Sequence, residues 1–302
     1  MAPAAPADVR EAFRGRLAGF ESGHCARARA RMPLTRGGLG LLGSVAIALA
    51  LMLFSITHPA ATRAAEDTAR RLLEALQMQR PEGSGPFPVI MLVPGCSGMS
   101  KKEYAAHYRE VAERLVGMGY LVVHVDYVAS RRLNDACGSF VSPDEIARDI
   151  VTVAAHLRSL PLVKPSRIDV IGESLGGGGV LAALGRPGSG AVPPFQRAVV
   201  FFPVCRAVPP PRTRAEVLML FGALDGMTPA ESCRQLVQQF ATPSDVQIRV
   251  YPEAHHGFTL AHLPRKPRPG EPTWAPAYDP AAAKTAWNDA LEFLGRPDSR
   301  SK

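Results

Sequence analysis

The sequence predicts an α/β protein built on a doubly wound, mostly parallel sheet, and three observations predict it. Short apolar runs rich in β-branched residues alternate with helical stretches from residue 89 onward, the pattern of strands buried on both faces between layers of helices. The run Ile168-Asp169-Val170-Ile171 passes into Gly172-Glu173-Ser174-Leu175-Gly176 and then into a small-residue helix, which is the strand, sharp turn and helix of a Gly-x-Ser-x-Gly elbow. Two later strands are followed by segments carrying Asp225 and His256. A serine, a carboxylate and a histidine thus each fall just past the carboxyl end of a strand, where open parallel sheets place their reacting groups.

Taken in order, residues 65–84 are ambiguous: Leu72, Leu73 and Leu76 have helical spacing, while 75–80 alternate like an edge strand. Residues 82–88 form a Gly/Pro loop and 89–93 a buried strand, followed by Pro94-Gly95-Cys96-Ser97-Gly98. A helix over 102–118 leads to a strand over 121–128. Ser142 caps the next helix, with Pro143 at its first position and an end near residue 160. After the elbow strand (168–171) and its helix come a strand over 198–204 and a proline-rich link, then a strand over 217–221. A helix over 228–240 capped by Thr228, a strand over 246–251, a proline-rich loop over 264–280 and a helix over 280–294 complete the domain, which spans 85–295 with a tail at 296–302. No internal repeat is present.

The chemistry follows from the three strand ends. A serine hydroxyl attacks at neutral pH only when a base takes its proton, and the base needs a carboxylate to fix its tautomer. Ser174, His256 and Asp225 are the candidates for these roles, with His255 as the rival base and Asp126 as the rival acid. Gly172 and Gly176 are expected to let the backbone pass closely on either side of Ser174. His107, His124 and His156 fall in expected helices or strands and read as structural, while His262 lies in a loop outside the pattern. Two N–H groups must receive an oxyanion; Leu175, following the serine, supplies one, and Cys96, after the first parallel strand, is the candidate for the other. No cysteine spacing suggests zinc.

The net charge of +8 is unevenly placed: eight of the 35 basic and three of the 27 acidic residues precede Ala65, leaving 27 against 24 in the body. A nucleic-acid partner is therefore not indicated. The charge belongs to a basic arm, residues 1–36, ahead of an uncharged apolar stretch, 37–57, long enough to cross a bilayer. Residues 37–64 read as a signal peptide cleaved near Ala61, Ala64 or Ala65, with Met32 as the start, or else as an uncleaved anchor that would attach the chain to a membrane. Either places the body outside the cytoplasm, periplasmic or secreted. Its four cysteines then favour disulfides: Cys96 and Cys137 both lie at the carboxyl edge of neighbouring strands, as do Cys205 and Cys233, whereas the crossed pairings would exceed a disulfide's reach.

The elbow, Gly222-Ala223-Leu224-Asp225 with Thr228-Pro229 behind it, and Tyr251-Pro252-Glu253-Ala254-His255-His256-Gly257-Phe258 together resemble the dienelactone hydrolase family of the α/β-hydrolase superfamily. The resemblance implies a serine hydrolase that cleaves a carboxylic ester or lactone through an acyl-enzyme, with no cofactor, acting on a small molecule. The chain differs from the founding type in having serine as nucleophile and Pro94-Gly95 where that type has His-Glu. Gly176 to Gly179 also resembles the elbow of cutinase-like polyester hydrolases. The same fold and triad would equally serve a peptidase or an acyltransferase, and the fold by itself a non-catalytic binding protein. Oligomeric state is not legible.

Overall fold

The computed structural model describes residues 59–296 apart from 139, 140, 187–194, 212, 214 and 241. The basic arm and the apolar stretch 37–57 lie outside the described residues; among those described, no helix is long and apolar enough to cross a membrane.

Among the described residues, seven strands form one sheet: β1 (Gln77–Gln79), β2 (Phe87–Val93), β3 (Leu121–His124), β4 (Val163–Glu173), β5 (Arg197–Phe201), β6 (Glu216–Gly222) and β7 (Val246–Tyr251), in the order β1-β3-β2-β4-β5-β6-β7. Only β1 runs antiparallel, against β3; every other pairing is parallel. The chain steps from β2 to β3 on one side, returns to β4 on the other, and then moves steadily outward. That reversal between β2 and β4 opens a crevice at their carboxyl ends. Both readings of residues 65–84 hold in succession, because α1 (Pro59–Glu74) is followed directly by the short edge strand β1. The region expected to contain the cleavage site falls within α1.

The strands are apolar throughout because both faces are covered. Val89, Met91 and Val93 of β2, with Val217, Met219 and Phe221 of β6, pack towards α1, α4 (Pro143–Arg158), α5 (Ser174–Leu184) and α6 (Ala230–Val237). Ile90, Leu92, Leu218 and Leu220 point the other way, towards α2 (Lys102–Gly117) and α7 (Pro280–Gly295). Each such side chain contributes about 1.5 to 3 kcal/mol on burial.

Three elements differ from expectation for local reasons. β3 stops at His124 rather than at residue 128, because the Asp126 carboxylate accepts the N–H groups of Val128 and Ala129 (3.2 and 3.0 Å) and starts the short helix α3 (Tyr127–Ser130). Tyr127 and Val128 remain buried, so the apolar run that reads as strand is a helical turn in the same core. β5 ends at Phe201, since Phe202 takes a positive φ of 38° and Pro203 follows. α6 starts at Ala230 with Pro229, not Thr228, in the cap position. Ser142, in contrast, forms a capping box with Glu145 and Pro143 opens α4.

Candidate active site

Ser174 opens α5 in a strained backbone conformation, φ +50°, which lifts its side chain out at the β4–α5 turn. The glycines around it act through two different contacts. A Cβ on Gly172 would lie 2.8 Å from the Cα of Gly177 and 2.9 Å from the carbonyl oxygen of Gly176, whereas a Cβ on Gly176 would lie 2.1 Å from the carbonyl oxygen of Pro94. The first closes the elbow on itself. The second lets α5 press against the loop after β2.

That loop runs alongside the serine: a Cβ on Gly95 would be 3.5 Å from Ser174 Cβ. The N–H of Gly95 is donated to the Tyr108 hydroxyl (2.9 Å), and the amide of Cys96, the candidate oxyanion donor, comes next in the same loop. The Leu175 amide lies in the first turn of α5, where no intrahelical acceptor exists. Cys96 is disulfide-bonded to Cys137 with a Cα separation of 4.7 Å, and Cys205 to Cys233 at 5.1 Å; these are the pairings argued from topology. The first bond ties the loop after β2 to the segment after α3.

Loops from β6 and β7 bring the other two candidates. Ser174 Oγ lies 3.0 Å from His256 Nε2, and His256 Nδ1 lies 2.8 Å from Asp225 Oδ2. Asp225 Oδ1 also accepts the N–H groups of Met227 (2.9 Å) and Thr228 (2.8 Å), and Oδ2 accepts the Thr228 hydroxyl (2.8 Å). Burial pushes the Asp225 carboxyl up, but the bonds from His256 and Thr228 outweigh it and hold it below its usual range. An ionised carboxylate only accepts, so Nδ1 carries the imidazole proton and Nε2 offers a lone pair to the serine. Thr228, read from sequence as a helix cap, is therefore part of the site: its hydroxyl also lies 3.0 Å from the Phe202 carbonyl and 3.1 Å from His256 Nδ1. Phe202 stands edge-on to His256, with ring centroids 4.9 Å apart.

The rivals are occupied elsewhere. His255 lines a separate depression with Arg265 and Trp274, and the Asp126 carboxylate is spent on the cap of α3. His124 is buried, its pKa lowered to about 4 by desolvation, so it is neutral; His156 lies in α4 and the His262 ring stacks edge-on against Tyr104. His107 lies on α2 with its Nε2 2.9 Å from Oε1 of Glu173, the residue before the serine. Tyr108 donates to the other oxygen of Glu173 (2.8 Å). Nothing in the sequence pattern joins these residues, which are 66 and 65 positions apart.

Ser174 and His256 open into a cavity of about 200 Å³. Its walls are largely apolar, from Tyr104, Phe202, Met227, Leu260, Leu263 and Pro276, with Cys137 at the edge. Residues 129–141 and 264–280, the two loops expected to set specificity, thus contribute one residue each; Leu260 and Leu263 come from the stretch just after the histidine motif. A larger depression of about 670 Å³ between α2 and α7 holds none of the three candidates. Among the described residues, no group of three or more His, Cys, Asp and Glu side chains is placed to hold a metal ion.

Known proteins agree with this architecture. The model of the dienelactone hydrolase family matches residues 73–297. A protein of Synechocystis sp., provisionally named a carboxymethylenebutenolidase, is 26% identical over 205 residues, covering 60% of this chain and 79% of its own. A solved structure provisionally titled dienelactone hydrolase, from Klebsiella pneumoniae, superposes with a TM-score of 0.57 at 20% identity, covering 74% of this chain and 92% of its own. Esterase 2 of Thermogutta terrifontis, solved with propionate bound, gives 0.54 at 17% identity over 72% of this chain and 88% of its own. The fold is that of the α/β hydrolases, and the chain, matched by the family model over most of its length, belongs to the dienelactone hydrolase family.

Proposed function

We propose that the protein is a serine hydrolase that cleaves small carboxylic esters or lactones through an acyl-enzyme. The observation that carries this reading is the unbroken chain Ser174 Oγ, His256 Nε2, His256 Nδ1, Asp225 Oδ2, with contacts of 3.0 and 2.8 Å. As Oγ attacks the carbonyl carbon, His256 takes its proton and Asp225 stabilises the imidazolium. The carbonyl oxygen becomes an oxyanion that the amides of Leu175 and Cys96 receive, helped by the positive end of α5. His256 then returns the proton to the departing alkoxide, leaving an ester on Ser174, and a water activated by the same histidine releases the acid. An opened lactone keeps its alcohol on the acyl group.

The apolar cavity of about 200 Å³ favours a short acyl group, in keeping with the propionate complex of the Thermogutta esterase. Two disulfides support a place in an oxidising compartment. Fluorophosphonate labelling tests the nucleophile, and the expected adduct is on Ser174; hydrolysis of p-nitrophenyl esters of graded chain length tests the substrate, with acetate to butyrate preferred. No labelling, or labelling that survives Ser174→Ala, would overturn the mechanism.

One observation favours a second reading, polyester hydrolysis: Leu224, Met227 and Trp274, 42%, 51% and 44% exposed, lie on the loops beside Asp225. Release of soluble acid from an aliphatic polyester film faster than from p-nitrophenyl butyrate would select it.

A further inference from the structure

Glu173 presents an electrostatic problem. It is the last residue of β4, adjoins Ser174, and is only 3% exposed. A buried carboxylate is costly in itself, and next to a developing oxyanion its charge opposes the reaction unless it is fully engaged elsewhere. The structure engages it three times: His107 Nε2 (2.9 Å) and the Thr259 hydroxyl (3.4 Å) reach Oε1, and the Tyr108 hydroxyl (2.8 Å) reaches Oε2. Burial raises the Glu173 carboxyl, but these partners outweigh it and leave it below its usual range. It is an acceptor, so His107 Nε2 is a donor. Burial, with Glu173 alongside, pushes the Tyr108 hydroxyl well up, so it keeps its proton and donates.

The same Tyr108 hydroxyl accepts the N–H of Gly95 (2.9 Å). One carboxylate is therefore linked to three parts of the proposed site. It is covalently next to the nucleophile; through Tyr108 it holds the loop carrying Cys96; and through Thr259 it holds the loop carrying His256.

We propose that Glu173 is a positioning residue which, through Tyr108, fixes the Gly95–Cys96 backbone so that the Cys96 amide faces the oxyanion formed at Ser174. This rests on the serine-hydrolase reading and adds to it a residue that acts through Tyr108 on the loop after β2, at the wall of the same cavity. A satisfied polar cluster that only stabilises the fold would look the same at rest, and the two separate in kinetics. An oxyanion contact is made in the transition state, so its misplacement lowers kcat and leaves KM nearly unchanged.

The test uses Tyr108→Phe, which removes one hydroxyl and leaves the Gly95 N–H without that acceptor, and Glu173→Gln, which keeps the shape but forces an amide N–H against one of three donors. For both, kcat and KM on p-nitrophenyl acetate, affinity for a phenylboronic acid that mimics the tetrahedral intermediate, and Tm are measured in the full chain. The expected result is a kcat loss of roughly 10- to 100-fold, smaller than or equal to that for deleting an oxyanion donor outright. Boronate affinity should fall in parallel, KM should change less than about threefold, and fluorophosphonate should still mark Ser174. Unchanged kcat and boronate affinity in a variant that folds would overturn the proposal, as would losses that disappear on cooling well below a lowered Tm. Failure of the underlying reading looks different, since the wild-type chain would then neither hydrolyse the ester nor take the fluorophosphonate.

Discussion

The loop after β2, which carries Cys96, and the loop after β6, which carries Asp225, are held by different means. The first is fixed by the backbone and by a covalent bond: α5 presses on the Pro94 carbonyl across a gap only glycine allows, and Cys96 is bonded to Cys137. The second is fixed by side-chain hydrogen bonds, with Asp225 accepting two amides of its own turn and the Thr228 hydroxyl. An oxyanion site gains from rigid amides that need no reorganisation. A carboxylate that must orient a histidine gains from several donors that hold its charge. The comparison teaches that the loop after β2 is held by packing, a disulfide and the Tyr108 hydroxyl on the Gly95 N–H, and the loop after β6 by donors gathered on one carboxylate.

The largest expected effects fall where both sides meet. Ser174→Ala should lower kcat by about 10⁴-fold or more with the fold retained, and His256→Ala by nearly as much, whereas His255→Ala should be mild. Steady-state kinetics with circular dichroism checks this, and a crippled His255→Ala with an active His256→Ala would reverse the assignment of the base. Next in size is Gly176→Ala. A methyl placed 2.1 Å from the Pro94 oxygen and 2.7 Å from the Val93 oxygen must displace backbone, costing about 1 to 3 kcal/mol of stability and moving the Cys96 amide. Activity should drop about 100-fold, the scale of a lost oxyanion donor; wild-type kcat in this variant would show that the loop yields without harm.

On the charged side, Thr228→Val keeps the shape and removes the hydroxyl. A hydrogen bond to a charged group contributes about 1.5 to 3 kcal/mol, so kcat should fall about tenfold. A pH signature should accompany the loss. The folded Asp225 carboxyl sits below its unfolded value, so its contribution to stability is present above about pH 4 and is lost as pH falls through the folded value. Without Thr228 the folded value rises, and acid unfolding should begin at higher pH. Identical acid-unfolding midpoints for the two proteins would remove Thr228 from the charge-holding role.

The same contrast explains what the sequence makes legible. Packing leaves a trace in residue type: Gly172 and Gly176, the unbroken apolar runs of β2 and β6, and the paired cysteines can all be read from the chain because few other residues satisfy those geometries. The order of Ser174, Asp225 and His256 is legible through their places after strands. Hydrogen-bond networks leave a weaker trace. Thr228 before Pro229 is also what a helix start looks like, and Asp126 after an apolar run looks like a strand end although its side chain starts α3. Glu173 occupies the variable position of the elbow, and its partners His107 and Tyr108 lie on α2, distant in the chain. Only the folded sheet brings them together.

The smallest predicted effect on activity sharpens the comparison most, because it separates stability from position. The Cys96–Cys137 and Cys205–Cys233 bonds close segments of 41 and 28 residues. Chain entropy gives the two nearly equal stabilisation, about 3 to 4 kcal/mol each. Their surroundings differ: Cys96 and Cys137 line the cavity, while Cys205 and Cys233 are buried in the core, where the segment after β5 meets α6. Replacing either pair by serine should therefore lower Tm by a similar amount. Only the Cys96→Ser, Cys137→Ser protein should also lose kcat, by several-fold, at temperatures where both variants remain folded, because its loop keeps the Tyr108 and Gly176 contacts but loses the covalent tie. Mild reduction of the wild-type protein should show the same order, with activity falling before the circular dichroism signal. If both pairs changed kcat equally, the disulfides would act only through global stability, and the rigidity of the loop after β2 would rest on its packing against α5 and on the Tyr108 hydrogen bond.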